Sequence, residues 1–205
     1  MMRSVRWFTP IALAALVVAQ AACSVARADD TAMPTGIRGE MIASMLDAGG
    51  KIQELAGAMP EGKYSWRPNK DVRSVGEVYL HVVAANYMFP GVMGVPGGMS
   101  MDEGMKYDKT KADKAKTVQA LKDSYAFATK AIAGMSDADL EAPIEFFGQK
   151  MSKRAMIMVM VAHSHEHLGQ SIAYARMNGI APPWTAREMA QAKEMMEKKK
   201  AAQGK

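Results

Sequence analysis

Apolar residues recur at spacings of three and four along several segments of this 205-residue chain. That spacing predicts helices with one buried face. The first such segment runs from about Gly36 to Met59 and ends before the Pro60-Glu61-Gly62 turn. Gly49-Gly50 interrupts it at a cost of about 1 kcal/mol per glycine relative to alanine, so we expect a packing reason or a kink there.

Three further helices are predicted by the same pattern and by their end signals. Ser74 and Glu77 match a capping box, from which a second helix follows. A third helix spans about Ala112 to Gly134. The fourth runs for roughly six turns from the apolar run 156–162 to the stop at Gly179.

The connections between these helices are long. Residues 64–68 are predicted to be extended, because a residue that precedes proline is biased away from helix. Residues 90–107 are rich in glycine and methionine and are predicted to form a long mobile connection of the kind that covers a site. Residues 136–150 are predicted to form a loop or a short hairpin.

A last amphipathic helix is predicted from Thr185, where Glu188 completes another capping box, into a lysine-rich tail. The chain has four long helical patterns before it and no convincing alternating strand. We therefore predict an all-α fold: a four-helix bundle with a long second connection and an additional C-terminal amphipathic helix.

Residues 1–28 have the pattern of a secretory signal peptide. A positive start and an apolar segment too short to span a bilayer lead to a small-x-small cleavage site at 26–28. We therefore expect residues 29–205 to form a single periplasmic or secreted domain, without a stable membrane anchor after cleavage. Cys23 raises the alternative of a lipoprotein, but Gln20 stands where that signal needs a branched apolar residue.

Cleavage would change the chemistry that is available to the mature chain. It removes three arginines and no acidic residue, which lowers the formal charge from +5 to about +2 and argues against a nucleic-acid partner. It also removes the single cysteine, so a metal site would use nitrogen and oxygen ligands.

The histidines indicate such a site. His163 and His167 are four residues apart, so they lie about 40° apart around a helix and can meet one metal ion. His165 lies about 200° from His163 and is predicted at the surface or against a neighbouring helix. His81 falls on the inward face of the second helix, and a metal is one way to satisfy a buried imidazole. Hydrogen bonds alone are the structural alternative.

Two other side chains are candidates for acid–base chemistry. Glu166 lies about 60° from His163 and is a candidate acceptor or proton shuttle, although a solvated glutamate is the simpler interpretation. Tyr174 lies on the ligand side of the same helix. Methionines between Met99 and Met105 suggest soft ligands for Cu(I), but methionine is abundant throughout the chain and core filling explains it more simply.

Two stretches together carry a resemblance to a known family. They are Trp66-Arg67-Pro68 with Ser74, Glu77 and His81, and His163-x3-His167-Leu168-Gly169-Gln170 with Arg176, Gly179 and Pro182-Pro183. From about residue 36 to 184 the chain resembles the DinB superfamily, which includes YfiT-like proteins regarded as metal hydrolases, bacillithiol transferases and mycothiol-dependent isomerases. The resemblance implies a divalent metal, zinc or nickel, on the three matching histidines. Leu168 stands where the family often has arginine; the ligands are intact, but the resemblance does not carry over any substrate contact made by that arginine.

The resemblance implies a metal-dependent hydrolase or transferase that acts on a small molecule. Three imidazoles leave coordination positions open, as in catalytic rather than structural sites. Thiol transfer is less expected for an exported chain, which would seldom meet cytosolic thiols. The alternative is a non-catalytic metal-binding or stress-related binding module. A homodimer through bundle faces is compatible with this fold, but the sequence indicates no interface.

Overall fold

The computed structural model describes residues 33–203, so the predicted signal peptide and Cys23 lie outside the described residues. The elements in chain order are α1 (Gly36–Ala58), α2 (Val75–Val92), α3 (Met101–Asp108), α4 (Lys114–Ala133), α5 (Asp137–Glu141), β1 (Pro143–Phe146), β2 (Gln149–Ser152), α6 (Lys153–Met177) and α7 (Pro183–Gln203). A 3-10 turn at Glu61–Lys63 follows α1.

Four long helices form the body of the fold. Helices α1 and α2 each pack against both α4 and α6, so one apolar core lies between the four. Its centre is fully buried and includes Met45, Ile52, Leu55, Leu121 and Met156. The predicted all-α bundle is confirmed, and the four predicted long helices lie at the expected places in the chain.

The glycine pair in α1 has a packing reason. A Cβ atom at Gly49 would lie 2.7 Å from ring carbons of Tyr125 on α4, so only glycine lets the two helices approach this closely. The hydroxyl of Tyr125 then donates to Ser164 Oγ on α6 at 3.2 Å, which links α4 to the helix that carries the histidines. A Cβ atom at Gly50, in contrast, would have no neighbour within 4 Å.

The start of α2 confirms the predicted capping box. Ser74 Oγ accepts from the Glu77 backbone N–H at 3.3 Å, and Glu77 Oε2 accepts from the Ser74 N–H at 2.7 Å. Glu77 Oε1 also accepts from Arg67 Nη2 at 2.8 Å, which ties the preceding connector to the helix. These bonds fix where α2 begins and therefore which of its residues face the core.

The long second connection is more ordered than predicted. Helix α2 continues through Pro90 to Val92, and α3 occupies residues 101–108. The predicted long second connection is therefore present, but it contains a short helix, α3, that was not predicted. Ser100 and Glu103 form a capping box that starts α3, and this signal was visible in the sequence. Gly104 lets α3 lie against Met88 of α2, because an added Cβ would come within 3.1 Å of its sulfur.

The region before α6 contains a short helix, α5, and the hairpin that was one of the two expected forms. Strands β1 and β2 pair antiparallel, with Phe146 opposite Gln149. The two residues between them, Phe147 and Gly148, both have positive φ values, as two-residue hairpin turns require.

Helix α7 begins two residues earlier than predicted, at Pro183. Thr185 is therefore inside the helix and is not its N-cap, which corrects the predicted capping box with Glu188. Proline suits the first helical turn because backbone N–H groups have no hydrogen-bond partner within the helix there, so the N–H that proline lacks is not needed. Arg187 joins Glu54 of α1 through two hydrogen bonds of 2.8 and 3.2 Å. No helix within residues 33–203 combines the length and apolar character needed to cross a membrane.

The two neighbouring glycines of α1 should respond oppositely to the same substitution. Gly49→Ala should lower the free energy of unfolding by about 1 to 3 kcal/mol, because the added methyl overlaps the Tyr125 ring. Gly50→Ala should raise it by about 0.5 to 1 kcal/mol, because alanine restricts the unfolded chain more. Urea denaturation measures both, and equal effects would contradict the packing described here.

Candidate metal centre

The structure brings together the three histidines that the sequence selected. His81 comes from α2, and His163 and His167 come from successive turns of α6. One ring nitrogen from each lies within 4.8 Å of the others. His81 Nε2 and His163 Nε2 lie 3.1 Å apart.

This donor set fits a divalent metal ion. Imidazole nitrogens bind zinc at about 2.0 to 2.1 Å, which places two ligands of one tetrahedral ion roughly 3.3 Å apart. The 3.1 Å separation of the two Nε2 atoms is close to that value. His167 is 7% exposed and the other two rings are half-buried, so the cluster is sheltered and still reachable. The three rings could therefore share one ion.

His167 is oriented by a chain of hydrogen bonds. Its Nδ1 donates to Gln170 Oε1 at 2.8 Å, and Gln170 Nε2 donates to the Tyr174 hydroxyl at 3.1 Å. The hydroxyl in turn donates to the Arg73 carbonyl at 3.1 Å. Each hydrogen bond in this series donates toward the Arg73 carbonyl. The series therefore places the proton of His167 on Nδ1 and leaves Nε2 with a free lone pair.

His81 has a carboxylate behind it. Its Nδ1 lies 3.4 Å from Asp108 Oδ1, while Arg73 Nη2 donates to Asp108 Oδ2 at 2.8 Å. The Oδ1 contact is longer than an ordinary hydrogen bond, and this buried oxygen has no closer partner in the described part of the chain. A carboxylate behind a ligand histidine fixes the ring and raises its basicity.

Sequence reasoning missed both Asp108 and Arg73. Asp108 ends α3, directly after the segment 90–107 that was predicted as a long connection, and Arg73 directly precedes the Ser74 N-cap. The capping box at Ser100 would have predicted the helix, but not its contact with α2. Arg73 serves both orienting groups, since its guanidinium contacts Asp108 and its carbonyl accepts from Tyr174.

The electrostatics of the cluster favour neutral rings. Burial, followed by repulsion from His167, His81 and Arg73, lowers the pKa of His163 to about 3. Burial also lowers the pKa of His167, although the Gln170 hydrogen bond opposes that effect. Burial would raise the pKa of Asp108, but its bonds to His81 and Arg73 outweigh this and lower it to about 2. At neutral pH, His163 and His167 therefore have lone pairs available for a metal.

The remaining predicted side chains take different places. His165 is exposed and its ring bonds to the Val161 carbonyl at 3.0 Å, which confirms that it lies away from the cluster. Glu166 is exposed at the rim, where its charge acts on His167. Tyr174 is buried and reaches His167 only through Gln170.

Two openings adjoin the cluster. A cleft of about 610 Å³ reaches His167 and has a mainly polar and charged lining: Arg67, Lys70, Asp71, Val72, Arg73, Glu77, Glu166, His167 and Gln170. A smaller cavity of about 330 Å³ lies on the side of His81 and His163. Of the residues around them, Arg73 alone lines both openings.

The fold and the site together define the class of this protein: a four-helix bundle in which three inward histidines on two helices form a candidate metal site with three nitrogen ligands. The model of the DinB superfamily matches residues 47–171, and the chain belongs to this superfamily. It is 24% identical over 144 residues to the uncharacterized protein YjoA of Bacillus subtilis (strain 168), which covers 68% of this chain and 90% of that protein.

Solved structures show the same fold. A DinB-like protein from Bacillus cereus superposes with a TM-score of 0.61 at 19% identity, covering 72% of this chain and 95% of that one. YfiT from Bacillus subtilis, described as a probable metal-dependent hydrolase with an unusual four-helix bundle topology, gives 0.59 at 13% identity, covering 74% and 93%. At these identities the likeness concerns the fold.

Asp108→Asn should weaken metal binding by about 10- to 100-fold, because the amide cannot support His81 as a carboxylate does. Competition with a coloured chelator measures the change. Asp102→Asn is the matched control, since Asp102 lies on the same helix and is exposed. Equal affinity in the two variants would show that Asp108 does not act on the site.

The metal-free chain should lose stability as the pH falls below about 6.5. His163 has an ordinary pKa of 6.5 and a folded-state pKa of about 3, so the unfolded state binds the proton first. Its contribution is complete above pH 6.5 and is lost as the pH falls toward 3, with about 1 to 2 kcal/mol lost between pH 7 and 5. Urea denaturation with chelator present should show a shallower pH dependence for His163→Gln, and parallel curves would contradict this assignment.

Proposed function

We propose that this chain is an exported DinB-like protein that binds one divalent metal ion, zinc or nickel, through His81, His163 and His167. In this proposal it uses the ion for hydrolysis or group transfer on a small molecule. The observation that carries the proposal is the convergence of three ring nitrogens, two of them on rings whose Nδ1 atoms face Gln170 and Asp108. The description of YfiT as a probable metal-dependent hydrolase supports the same activity by analogy.

The protein would prepare the site for catalysis in two ways. Gln170 and Asp108 hold two rings with their Nε2 atoms toward the ion, so the site needs little rearrangement on binding. Three protein ligands leave positions for water and substrate, and a bound divalent ion supplies Lewis-acid polarisation and lowers the pKa of such water. The polar cleft that reaches His167 would give small molecules access to these positions.

The two acid–base candidates would have different roles. Glu166 lies at the rim of the cleft with His167, where a carboxylate can accept a proton from a reacting group. Tyr174 donates its own proton to the Arg73 carbonyl and contacts Gln170, which suits a positioning role. We therefore assign proton transfer to Glu166 and ring orientation to Tyr174.

Export is the part of the proposal that depends on the N-terminal sequence. Residues 1–28 have the charge, apolar segment and small-x-small site of a secretory signal. In a periplasmic or secreted setting, low-molecular-weight thiols of the cytosol are scarce. Hydrolysis is therefore favoured over thiol transfer.

The direct test is the metal content of protein purified from the exported fraction without chelator. Wild type and His165→Ala should each hold about one zinc or nickel ion per chain, whereas His163→Ala/His167→Ala should hold none. His165 is a matched control because it lies on the same helix and faces away from the cluster. Metal-dependent turnover of small esters, amides or phosphoesters that is lost in His167→Ala would support an enzyme.

The other outcomes separate the alternatives. Tight metal occupancy with no turnover would favour a non-catalytic binding module. Wild-type protein that holds no metal and takes up none on titration would overturn the proposal. Recovery of the chain in the cytosol with residues 1–28 uncleaved would overturn its export.

A further inference from the structure

The smaller opening beside the histidine cluster has an apolar wall. The cavity of about 330 Å³ lies between α2, α3 and the hairpin, and its volume is within the range of small-molecule sites. Methionine and phenylalanine side chains supply most of the wall: Met88, Phe89, Met101, Met105, Phe146 and Phe147. Two of the methionines that suggested soft copper ligands therefore face this cavity.

The polar residues that line this cavity belong to one connected group. His81 and His163 contact each other, Asp108 contacts His81, and Arg73 contacts Asp108. The Arg73 and Asp108 charges offset each other across a 2.8 Å contact. A charged ligand group in the cavity would lose water without gaining a partner of its own, whereas an apolar group would lose nothing.

The mouth of the cavity contains an exposed aromatic side chain. Phe147 is 76% exposed and has a φ of 48°, at a turn position that favours glycine or asparagine. Its ring lies 4.4 Å from the ring of Phe146, and Phe146 packs against Phe89, which meets the edge of His163. The aromatic residues thus extend from solvent to one of the three histidines. Nothing in the bundle core requires a phenylalanine at this turn.

We propose that this cavity binds an uncharged apolar arm of the substrate, an alkyl or aryl group, while the reacting bond lies at the three histidines. This inference rests on the proposed metal site and adds the substrate class. The polar cleft at His167 receives the hydrated part of the molecule. Substrates with a short or charged arm bind less well, because they leave the apolar wall exposed or are desolvated against it.

The test compares alkyl hydroxamates, which combine a metal-binding group with a tail of chosen length. Calorimetric titration of the zinc-loaded full chain should give octanohydroxamate at least 100-fold higher affinity than acetohydroxamate. Each buried methylene contributes up to about fourfold. Suberic acid monohydroxamate, which has a tail of similar length that ends in a carboxylate, should lose most of that gain. Equal affinity for the short and long alkyl hydroxamates would overturn the inference.

Two variants locate the tail. Ala84 lines the cavity, so Ala84→Leu should fill part of it and reduce the advantage of octanohydroxamate over acetohydroxamate to about tenfold or less. Asparagine suits the left-handed conformation at position 147. Phe147→Asn should therefore keep the turn and reduce the same advantage by removing the aromatic ring at the mouth of the cavity. Ala126→Leu, at an exposed position on α4, is the matched control. A tail effect that neither variant reduces would place the tail elsewhere and overturn the inference.

A metal-free measurement separates this inference from the proposed function. With methionine methyl groups labelled with carbon-13, 1-octanol should shift the signals of Met88, Met101 and Met105 in the metal-free chain, and less so in Ala84→Leu. These shifts with no zinc uptake would support the cavity and overturn the metal site. Acetohydroxamate binding to zinc-loaded protein with no octanol shifts would support the metal site and overturn the cavity.

Discussion

A three-histidine site requires three rings to present unprotonated nitrogens to one point, and much of the surrounding structure serves that requirement. An imidazole can carry its proton on either nitrogen, so a partner must decide which one. Gln170 makes that choice for His167, and Asp108 lies where it makes the choice for His81. Arg73 then joins the two partners, because its side chain holds the carboxylate and its backbone accepts from the tyrosine behind the glutamine.

The bundle supplies the positions from which these rings converge. Two histidines are placed by the helical repeat of α6, which any unbroken helix would provide. The third depends on where α2 starts, and the capping box at Ser74 fixes that start. The close approach of α1 to α4 at Gly49, followed by the Tyr125 bond to Ser164, holds α6 in place. The burial that results keeps His163 and His167 neutral at ordinary pH.

Features that depend on local sequence were predicted well, and features that depend on contacts between distant segments were not. Helical periodicity and end signals sufficed for the long helices and for the histidine pair on α6. Asp108 and Arg73 were missed because their roles arise only when α3 packs against α2, which no local pattern encodes. The capping-box pattern had opposite outcomes at two places. At Ser100 and Glu103 it marks the true start of α3, whereas the pattern at Thr185 and Glu188 does not start α7, which begins earlier at Pro183.

Helix α3 is eight residues long and lies outside the four-helix body. It nevertheless supplies the carboxylate behind His81 and part of the wall of the apolar cavity. Changes confined to this segment can therefore alter ion preference and ligand selectivity together while leaving the bundle core intact. Such an arrangement makes the site evolvable, since new specificities can arise by changing the residues of one short helix outside the four-helix body.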